Sequence, residues 1–551
     1  MLKTISTIAG ALTLSLATSA NAQQWLHYGG DPGGKHYSEA KQITRDNVAN
    51  LENAWVHRSG DAKTFGDALK QTSAQSTPLL LPEAAGASLV YCTPFNRVIA
   101  LDPGTGEQRW AFDPKINRAG DRPFRCRGVS YAANNRAVDE PNKNQACAHR
   151  LYLATHDRKL WAIDAITGEP CKTFGDEGHI ALYGAVEYAP GDVSNSSAPT
   201  VAAGLVIVGS TVIDFARAKT PRGTVAAFDA VNGEQRWAFD PLAGYPDSGS
   251  ANVWAPMSVD EANSLVYLPT SAASADYYGA NRPGDGSYAN SVVALDLTTG
   301  KVRWHFQHVR HDLWDYDTPA QPILFNWKKN GKTIPALAQL TKQGFVFVLN
   351  RLTGESLWEI TEQPVPPSQI PGEITARTQP KPIAPPSLLD PFLMPDDAWG
   401  LTPIDRASCR KQLSELHNLG LFTPTSETLT LMFPGSLGGS NWGGGALLGD
   451  SGILLTNVNN AAFTGRLIPT LPASLNSNPS APTKQDHPSA GHRMQVTMQG
   501  TPYTIEIGSL QSSLGIPCNP PPWGKLVAVD LVGGTILWET ALGSVHEMGP
   551  I

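Results

Sequence analysis

One eleven-residue pattern occurs six times along this chain and restricts its fold more than any other feature. Each copy opens with a small or β-branched residue, an apolar residue and Asp or Asn, and has Gly four positions after that acid or amide. Five copies end with Trp four positions after the Gly. The copies begin at Ala100, Ala162, Ala227, Ala294, Val348 and Ala528. Self-similarity of this kind predicts an array of equivalent supersecondary units.

The residues of the repeat predict strands joined by a tight turn. In the first copy, apolar segments at 88–91 and 97–101 precede the turn, and 108–112 follows it. The Asp102 carboxylate can accept hydrogen bonds from the turn backbone, and Gly106 can adopt a positive φ. Trp110 is large enough to wedge one sheet against the next. The sequence therefore predicts an all-β propeller of radially packed, Trp-docked blades.

The rest of the chain adds a few coarser expectations. We expect one clear helix at about 405–419, and a long insertion at about 361–522 that begins with Pro-rich, extended chain. The insertion either covers a functional face or packs at the side of the repeats. The net charge of −7 provides no basic surface for nucleic acid or for an anionic membrane.

Residues 1–22 have the pattern of a secretory signal peptide. Lys3 precedes an apolar run at 5–17, and Ala20-Asn21-Ala22 is a small-x-small cleavage site. We therefore expect an exported, periplasmic protein that is soluble or at most peripherally attached to a membrane. Six cysteines fit an oxidising compartment, although their fifteen possible pairings stay open. No CxxC pattern is present to suggest a zinc site or a c-type haem.

The densest group of chemically active residues is His311-Asp312-Leu313-Trp314-Asp315-Tyr316-Asp317. In an extended segment, alternation puts Asp315 and Asp317 on one face and Trp314 and Tyr316 on the other. Two adjacent carboxylates repel each other unless a cation or a shared proton intervenes. A hard cation with oxygen ligands is one solution. Solvated turn acids that only stabilise a loop are the alternative.

From Gln24 onward the sequence resembles the pyrroloquinoline quinone (PQQ) dehydrogenases, and it is most similar to their glucose dehydrogenase and quinate dehydrogenase branch. Seven strings in order carry the resemblance. They are the segments 126–131 (CRGVSY), 206–210 (VIVGS), 254–256 (WAP), 276–279 (DYYG), 288–291 (YANS), 311–317 (HDLWDYD) and 441–444 (NWGG).

The resemblance implies an eight-bladed propeller with PQQ lying across its central channel. It implies that the cofactor is contacted by Arg127, Ser196, Thr211, Trp254, Lys342, Asn441 and Trp442. It also implies one cation, Ca²⁺ in the first place and Mg²⁺ or a lanthanide as alternatives, held by Asp214, Asp315 and Asp317. Asp315 would be the general base, and Lys342 would stabilise charge on the reactive quinone oxygens.

The implied activity is oxidation of a sugar, polyol or cyclitol hydroxyl by hydride transfer to PQQ, with electrons passed to a quinone or a separate cytochrome. Two departures stand out. Where many relatives have a metal-ligating Asn, this chain has Thr270 to Ser274, and Ser274 is a weak substitute. With a degenerate copy at 50–55, seven repeat signatures are present, so we expect the last blade to be incomplete, through a truncated reading frame or because another chain closes the ring. A non-catalytic propeller scaffold and an inactive dehydrogenase fragment are the alternative functions.

Overall fold

A computed structural model describes residues 24–120, 122–133, 146–182, 189–286, 288–470 and 493–544. The predicted signal peptide lies outside the described residues. Six antiparallel sheets hold the six repeats, one repeat in each sheet, and within each sheet hydrogen-bonded neighbours follow chain order. This up-and-down order is that of a propeller blade.

The first four of these sheets have four strands each. Their strands are Leu79–Leu80, Leu89–Cys92, Val98–Leu101 and Gln108–Phe112; Ser130–Ala133, His149–Ala154, Lys159–Asp164 and His179–Ala181; Thr200–Ala202, Leu205–Val208, Val225–Asp229 and Gln235–Phe239; and Ser258–Asp260, Leu265–Pro269, Ser291–Asp296 and Val302–Gln307. The fifth sheet consists of Ile323–Lys329, Lys332–Leu340 and Val346–Asn350, and the sixth of Gly445–Leu447, Ile453–Asn459, Gly524–Asp530 and Thr535–Ala541.

The repeat residues make the turn that the sequence predicts. Asp102 Oδ1 accepts hydrogen bonds from the backbone N–H groups of Gly104 and Thr105, at 2.9 and 3.0 Å. Gly106 has a φ of +73°, and a Cβ there would lie 2.5 Å from the ring of Trp55. Gly at this position therefore satisfies both the turn and the close approach of an aromatic ring.

Each repeat glycine packs against an aromatic or apolar side chain of the preceding unit. Ring-on-glycine contacts join Trp55 to Gly106, Trp110 to Gly168, Trp237 to Gly300, Trp304 to Gly354, and Trp358 to Gly534. The second repeat has no Trp, and Ile180 and Phe174 contact Gly233 in its place. The described residues thus form six repeat-bearing sheets, and the count of eight blades stays a prediction.

The predicted insertion differs from expectation in two ways. Its Pro-rich start pairs as an antiparallel ribbon of Ile360–Pro364 with Thr378–Pro382, so the prediction of extended chain rather than strand is wrong there. Proline has no N–H to donate, and in a two-stranded ribbon its nitrogen can lie on the outer edge, where no partner strand requires a donor. Two strands of the sixth sheet also lie between 361 and 522. Gly445–Leu447 pairs with Ile453–Asn459, which pairs in turn with Gly524–Asp530 beyond the insertion.

The remaining elements surround the repeat sheets. A further sheet has the order Thr430–Met432, Phe463–Pro469, Tyr503–Ser509 and Met494–Thr497. Two short pairs join Thr72–Ala74 to Phe124–Cys126 and Val193–Ser194 to Thr211–Val212. Among the described residues, the α-helices are Asp61–Phe65 and Pro403–Glu415, and the 3₁₀ helices are Val48–Asn50, Gly66–Gln71, Glu83–Ala85, Glu261–Asn263 and Pro395–Asp397. No helix in the described ranges is long and apolar enough to cross a membrane.

The predicted helix is present but begins and ends earlier than expected. It runs over Pro403–Glu415, with the Thr402 hydroxyl accepting from the Asp405 N–H and Pro403 in the first turn. Leu416 is already extended, which ends the helix before 419. A Thr cap followed by Pro is a strong start signal, because both satisfy or remove an unpaired N–H.

All six cysteines form disulfides, which the spacing could not assign. The pairs are Cys92–Cys126, Cys147–Cys171 and Cys409–Cys518. The last pair ties the helix of the inserted segment to a loop 109 residues further along the chain. Full pairing is consistent with the predicted oxidising compartment.

Candidate functional site

Arg127 lies between two tryptophan rings. Its guanidinium carbon is 5.2 Å from the ring centre of Trp254 and 5.1 Å from that of Trp442. The side chain is 3 % exposed, and its Nε has no hydrogen-bond partner among the described residues. Burial lowers the pKa of Arg127 to about 10, so the group is cationic at neutral pH. A buried cation flanked by aromatic faces fits a flat, anionic ligand.

Small hydroxyl side chains hold this arginine in place. Arg127 Nη1 donates to Ser196 Oγ at 2.6 Å and to Ser197 Oγ at 3.3 Å. Ser196 Oγ is in turn 3.0 Å from Thr211 Oγ1. The backbone N–H of Arg127 also donates to the carbonyl of Ser196, at 2.7 Å. The predicted residues Arg127, Ser196 and Thr211 therefore come together here, and Ser197 joins them although the sequence did not single it out.

Lys342 lies between the two acids of the 311–317 string. Its Nζ is 3.2 Å from Asp315 Oδ1 and 3.1 Å from Asp317 Oδ2, and it donates to the Asp315 carbonyl at 2.6 Å. Trp254 Nε1 donates to Asp317 Oδ2 at 3.2 Å, which joins this acid–lysine group to the Arg127 group. All three charged side chains are buried. The predicted cofactor and catalytic residues thus form one continuous network.

The predicted division of the string into two faces is confirmed. Asp315 and Asp317 both face Lys342, whereas Trp314 and Tyr316 pack in an apolar cluster with Phe422. The segment is nevertheless a bent loop and not a strand, because Asp315 has a φ of +59°. The alternative of solvated turn acids is wrong, since both carboxylates are buried.

Burial and the neighbouring charges both shift the pKa values of Asp315 and Lys342. Burial raises the pKa of Asp315 well above its usual range, Lys342 partly offsets the shift, and Asp317 adds to it. Burial alone would lower the pKa of Lys342, but the attraction of Asp315 and Asp317 outweighs it and raises that pKa. A carboxylate with a raised pKa beside a fixed cation suits a general base.

Two other predicted residues lie at the border of the network. Asp214 is 54 % exposed, and its carboxylate is 3.6 Å from the guanidinium of Arg122. Asn441 donates to the Leu437 carbonyl and accepts from the N–H of Trp442, so its amide orients that tryptophan. Within the described ranges, no three His, Cys, Asp or Glu side chains converge closely enough to hold a metal ion by themselves.

The structure adds a carboxylate that sequence reasoning left without a role. Asp276, in the DYYG string, is 5 % exposed and accepts from the Phe215 N–H at 2.8 Å. Asp214, Asp317 and Asp312 lie within electrostatic range of it. Ser274, considered as a weak metal ligand, instead donates to the Ala218 carbonyl. Asp276 is therefore a carboxylate on this loop that the sequence analysis did not consider as an oxygen donor.

We expect Asp276 to make the cation-free protein less stable as the pH rises. Burial and the neighbouring acids raise the pKa of Asp276 from 3.8 to about 7. Between these values the folded state binds more protons than the unfolded state, so the free energy of unfolding falls with increasing pH. Asp276→Asn should remove this slope and stabilise the protein at about pH 8. Urea unfolding in chelator at about pH 5 and about pH 8 measures it. The exposed Asp285→Asn is the control, and equal slopes in wild type and Asp276→Asn would contradict the prediction.

Comparison with known proteins agrees with this arrangement. Residues 25–551 match the family model for the β-propeller domain of PQQ glucose/ethanol/alcohol dehydrogenases. The chain is 36 % identical to the quinate/shikimate dehydrogenase (quinone) of Acinetobacter baylyi and 34 % identical to the quinoprotein glucose dehydrogenase of Escherichia coli. Each alignment covers 96 % of this chain and 67 % of the relative.

Solved structures show the same fold at lower identity. The quinohemoprotein alcohol dehydrogenase from Comamonas testosteroni superposes with a TM-score of 0.64 at 22 % identity, over 96 % of this chain and 68 % of that one. A europium-containing methanol dehydrogenase gives a TM-score of 0.63 at 20 % identity, over 94 % and 78 % of the two chains. At these identities the likeness establishes the all-β propeller fold.

Proposed function

Because this chain belongs to the family of PQQ-dependent β-propeller dehydrogenases, whose members oxidise CH–OH groups, we propose that it oxidises a hydroxyl of a sugar, polyol or cyclitol with PQQ as cofactor. The observation that carries the proposal is the contact of Lys342 with both Asp315 and Asp317 beside the Arg127–Trp254 pair. A non-catalytic scaffold does not require this buried, charged constellation. The substrates in the relatives' names, quinate or shikimate and glucose, agree with the proposed substrate class.

The Arg127 group fits the cofactor. The buried guanidinium, with its unpartnered Nε, provides a cationic partner for carboxylate or carbonyl oxygens, and Trp254 and Trp442 provide aromatic faces. Ser196 and Thr211 supply hydroxyls, and Asn441 orients Trp442. When bound, PQQ supplies the two-electron redox chemistry that no side chain in this group can supply.

In the proposed reaction Asp315 accepts the proton of the substrate hydroxyl at its carboxylate. Lys342 keeps positive charge next to that carboxylate and to Asp317, so that negative charge developing nearby is stabilised without solvent rearrangement. The near-complete burial of both acids excludes bulk water from the proton-transfer step.

One cation is proposed at the same place, held by Asp214, Asp315 and Asp317. Carboxylate oxygens are the donors that a hard ion prefers, and Lys342 offsets only part of their negative charge. Because no three of these acids converge closely enough by themselves within the described residues, oxygens of the bound PQQ would have to complete the site. A hard ion would polarise an oxygen as a Lewis acid. We propose Ca²⁺, with Mg²⁺ or a lanthanide as the alternative ions.

The proposal extends to location and electron transfer. The signal-like segment at 1–22 and three disulfides support a periplasmic protein with at most peripheral membrane contact. Electrons would pass to a quinone or to a separate cytochrome. The quinone is supported by the acceptor in the name of the quinate/shikimate relative.

The direct test is reconstitution with PQQ and Ca²⁺, followed by dye reduction over sugars, polyols and cyclitols. We expect turnover that is lost on chelation and restored by Ca²⁺ or another hard ion. Asp315→Asn, loaded in the same way, is the negative control. Binding of PQQ without turnover on any of these substrates would favour the inactive fragment, and absence of PQQ binding would favour the scaffold. Activity that survives exhaustive chelation would contradict the cation.

A further inference from the structure

The side chain of Asp312 is surrounded by hydrogen-bond donors. Its Oδ1 accepts from the N–H of Trp314 at 2.9 Å, and its Oδ2 accepts from the N–H of Tyr316 and from Asn290 Nδ2, both at 2.7 Å. Asp312 is 2 % exposed, and Asn290 is 1 % exposed. A buried carboxylate that accepts three hydrogen bonds is held in one orientation, because any rotation would leave donors unsatisfied.

These hydrogen bonds enclose Asp315. The two backbone donors belong to the residues immediately before and after it, so the chain from 312 to 316 winds around the Asp312 carboxylate. Asp315 itself has a φ of +59°, a conformation that non-glycine residues adopt only when their surroundings impose it. Asn290 Nδ2 donates in addition to the Tyr316 carbonyl at 2.9 Å, which closes the turn from the opposite side.

Hydrogen bonds also fix the side chains of Trp314 and Tyr316, the two neighbours of Asp315. Trp314 Nε1 donates to the Thr423 carbonyl at 2.8 Å, and Tyr316 Oη donates to the Pro434 carbonyl at 2.7 Å. Both rings are 1 % exposed. The neighbours of Asp315 are thus fixed at backbone and side chain, and its carboxylate lies 3.2 Å from Lys342 Nζ.

We propose that Asp312 and Asn290 are positioning residues that hold Asp315 in its left-handed conformation and so place its carboxylate for proton transfer. The inference rests on the proposed function, in which Asp315 is the base. Neither residue makes a hydrogen bond to Lys342, although the Asp312 charge lies within electrostatic range of it, and their hydrogen bonds act on Asp315 through the backbone of 314–316. Catalysis depends on placement, because a shift of about 1 Å can lower the rate by about 10²-fold.

The test uses two single substitutions, which leave the length of the chain around Asp315 unchanged. In Asp312→Asn one oxygen becomes an NH₂ group, which must face an N–H donor in either orientation of the amide. Asn290→Gly removes the amide but tolerates the φ of +49° at that position. Asp296→Asn is the matched control, because Asp296 Oδ1 accepts from the backbone N–H groups of Thr298 and Thr299 in a repeat turn.

We expect Asp312→Asn to lower kcat by about 10²-fold, with a smaller loss for Asn290→Gly, while the Kd for PQQ, followed by tryptophan fluorescence, changes less than about threefold. The substrate deuterium isotope effect on kcat should increase in both variants, which a purely structural role would not cause. Asp296→Asn should leave kcat and the isotope effect unchanged, whatever loss of Tm it causes. A kcat for Asp312→Asn within about threefold of wild type would overturn the proposal.

If the wild-type protein reconstituted with PQQ and Ca²⁺ has no activity, crystal structures of wild type and Asp312→Asn test the positioning role instead. The inference then requires that Asp315 leaves the left-handed region and that the contact of its carbonyl with Lys342 Nζ is broken in the variant. An unchanged Asp315 in that structure would overturn the positioning role. Inactivity of wild type with a displaced Asp315 in the variant would instead count against the proposed function alone.

Discussion

Replacement of Asp315 by Asn is expected to lower kcat by about 10²–10⁴-fold, the range for loss of a general base. The amide is nearly the same size, so the turn at 312–316 and the Arg127–Trp254 pair should persist. PQQ binding should therefore change little. Steady-state kinetics of the reconstituted enzyme, with a fluorescence titration of PQQ, separate the loss of the base from loss of the cofactor site.

The pH dependence of kcat/KM provides a second test of Asp315 as the base. Asp315 acts as a base only when ionised, and burial raises its pKa above the usual carboxyl range. In wild type kcat/KM should therefore increase as the pH rises through that raised pKa, and the residual activity of Asp315→Asn should lack this step. The exposed Asp285→Asn is the control for loss of one negative charge in a nearby loop. A loss of only a few-fold in kcat would remove Asp315 from the role of base.

Replacement of Lys342 by Met should produce the largest loss of stability among single substitutions at this site. The Lys342 ammonium neutralises Asp315 and Asp317, which are both buried. Removal of one partner of a buried charge group leaves uncompensated charge, at a cost of about 3–5 kcal/mol. Because the Asp pair raises the pKa of Lys342, the lysine stays charged throughout the neutral range, and its stabilising effect is lost on the alkaline side as the pH rises through that pKa.

Urea unfolding in chelator at neutral pH measures this loss. Lys525→Met is the matched control, because Lys525 pairs with the half-exposed Glu539 at 3.1 Å and an ion pair near the surface contributes about 0–1 kcal/mol. At about pH 4 the loss from Lys342→Met should shrink, since the unpartnered carboxylates then take up protons. Equal losses in the two Met variants would show that Lys342 does not neutralise the acids.

Several features followed from the sequence because each depends on local chemistry. The Asp–Gly turns needed only a side-chain acceptor and a residue tolerant of positive φ, and both are visible in the repeat. The division of Asp315 and Asp317 from Trp314 and Tyr316 required only alternation and was correct although the segment is a loop. The start of the helix at Pro403 was missed by two residues, since Thr402 was not identified as its cap.

Other features depended on chain segments that are far apart. Hydrogen bonds between distant segments pair the Pro-rich strand 360–364 with 378–382. They also add strands 445–447 and 453–459 to the sixth sheet through the pairing of 453–459 with 524–530. The three disulfides depend on which of six thiols become neighbours. Asp276 is the one acid of the DYYG string, but no local pattern in the sequence shows that it lies close to Asp214 and Asp317.

The sequence by itself determined the repeating β units, their turns and the residue types available for the site, because these follow from side-chain size, hydrogen-bonding capacity and backbone freedom. Only the tertiary structure decided which charges meet. Lys342 pairs with Asp315 and Asp317, Arg127 is held between two tryptophans, and Asp312 serves the backbone of the turn. The physical reason is that burial and distance set electrostatic and hydrogen-bond energies, and both quantities arise only when distant strands pack together.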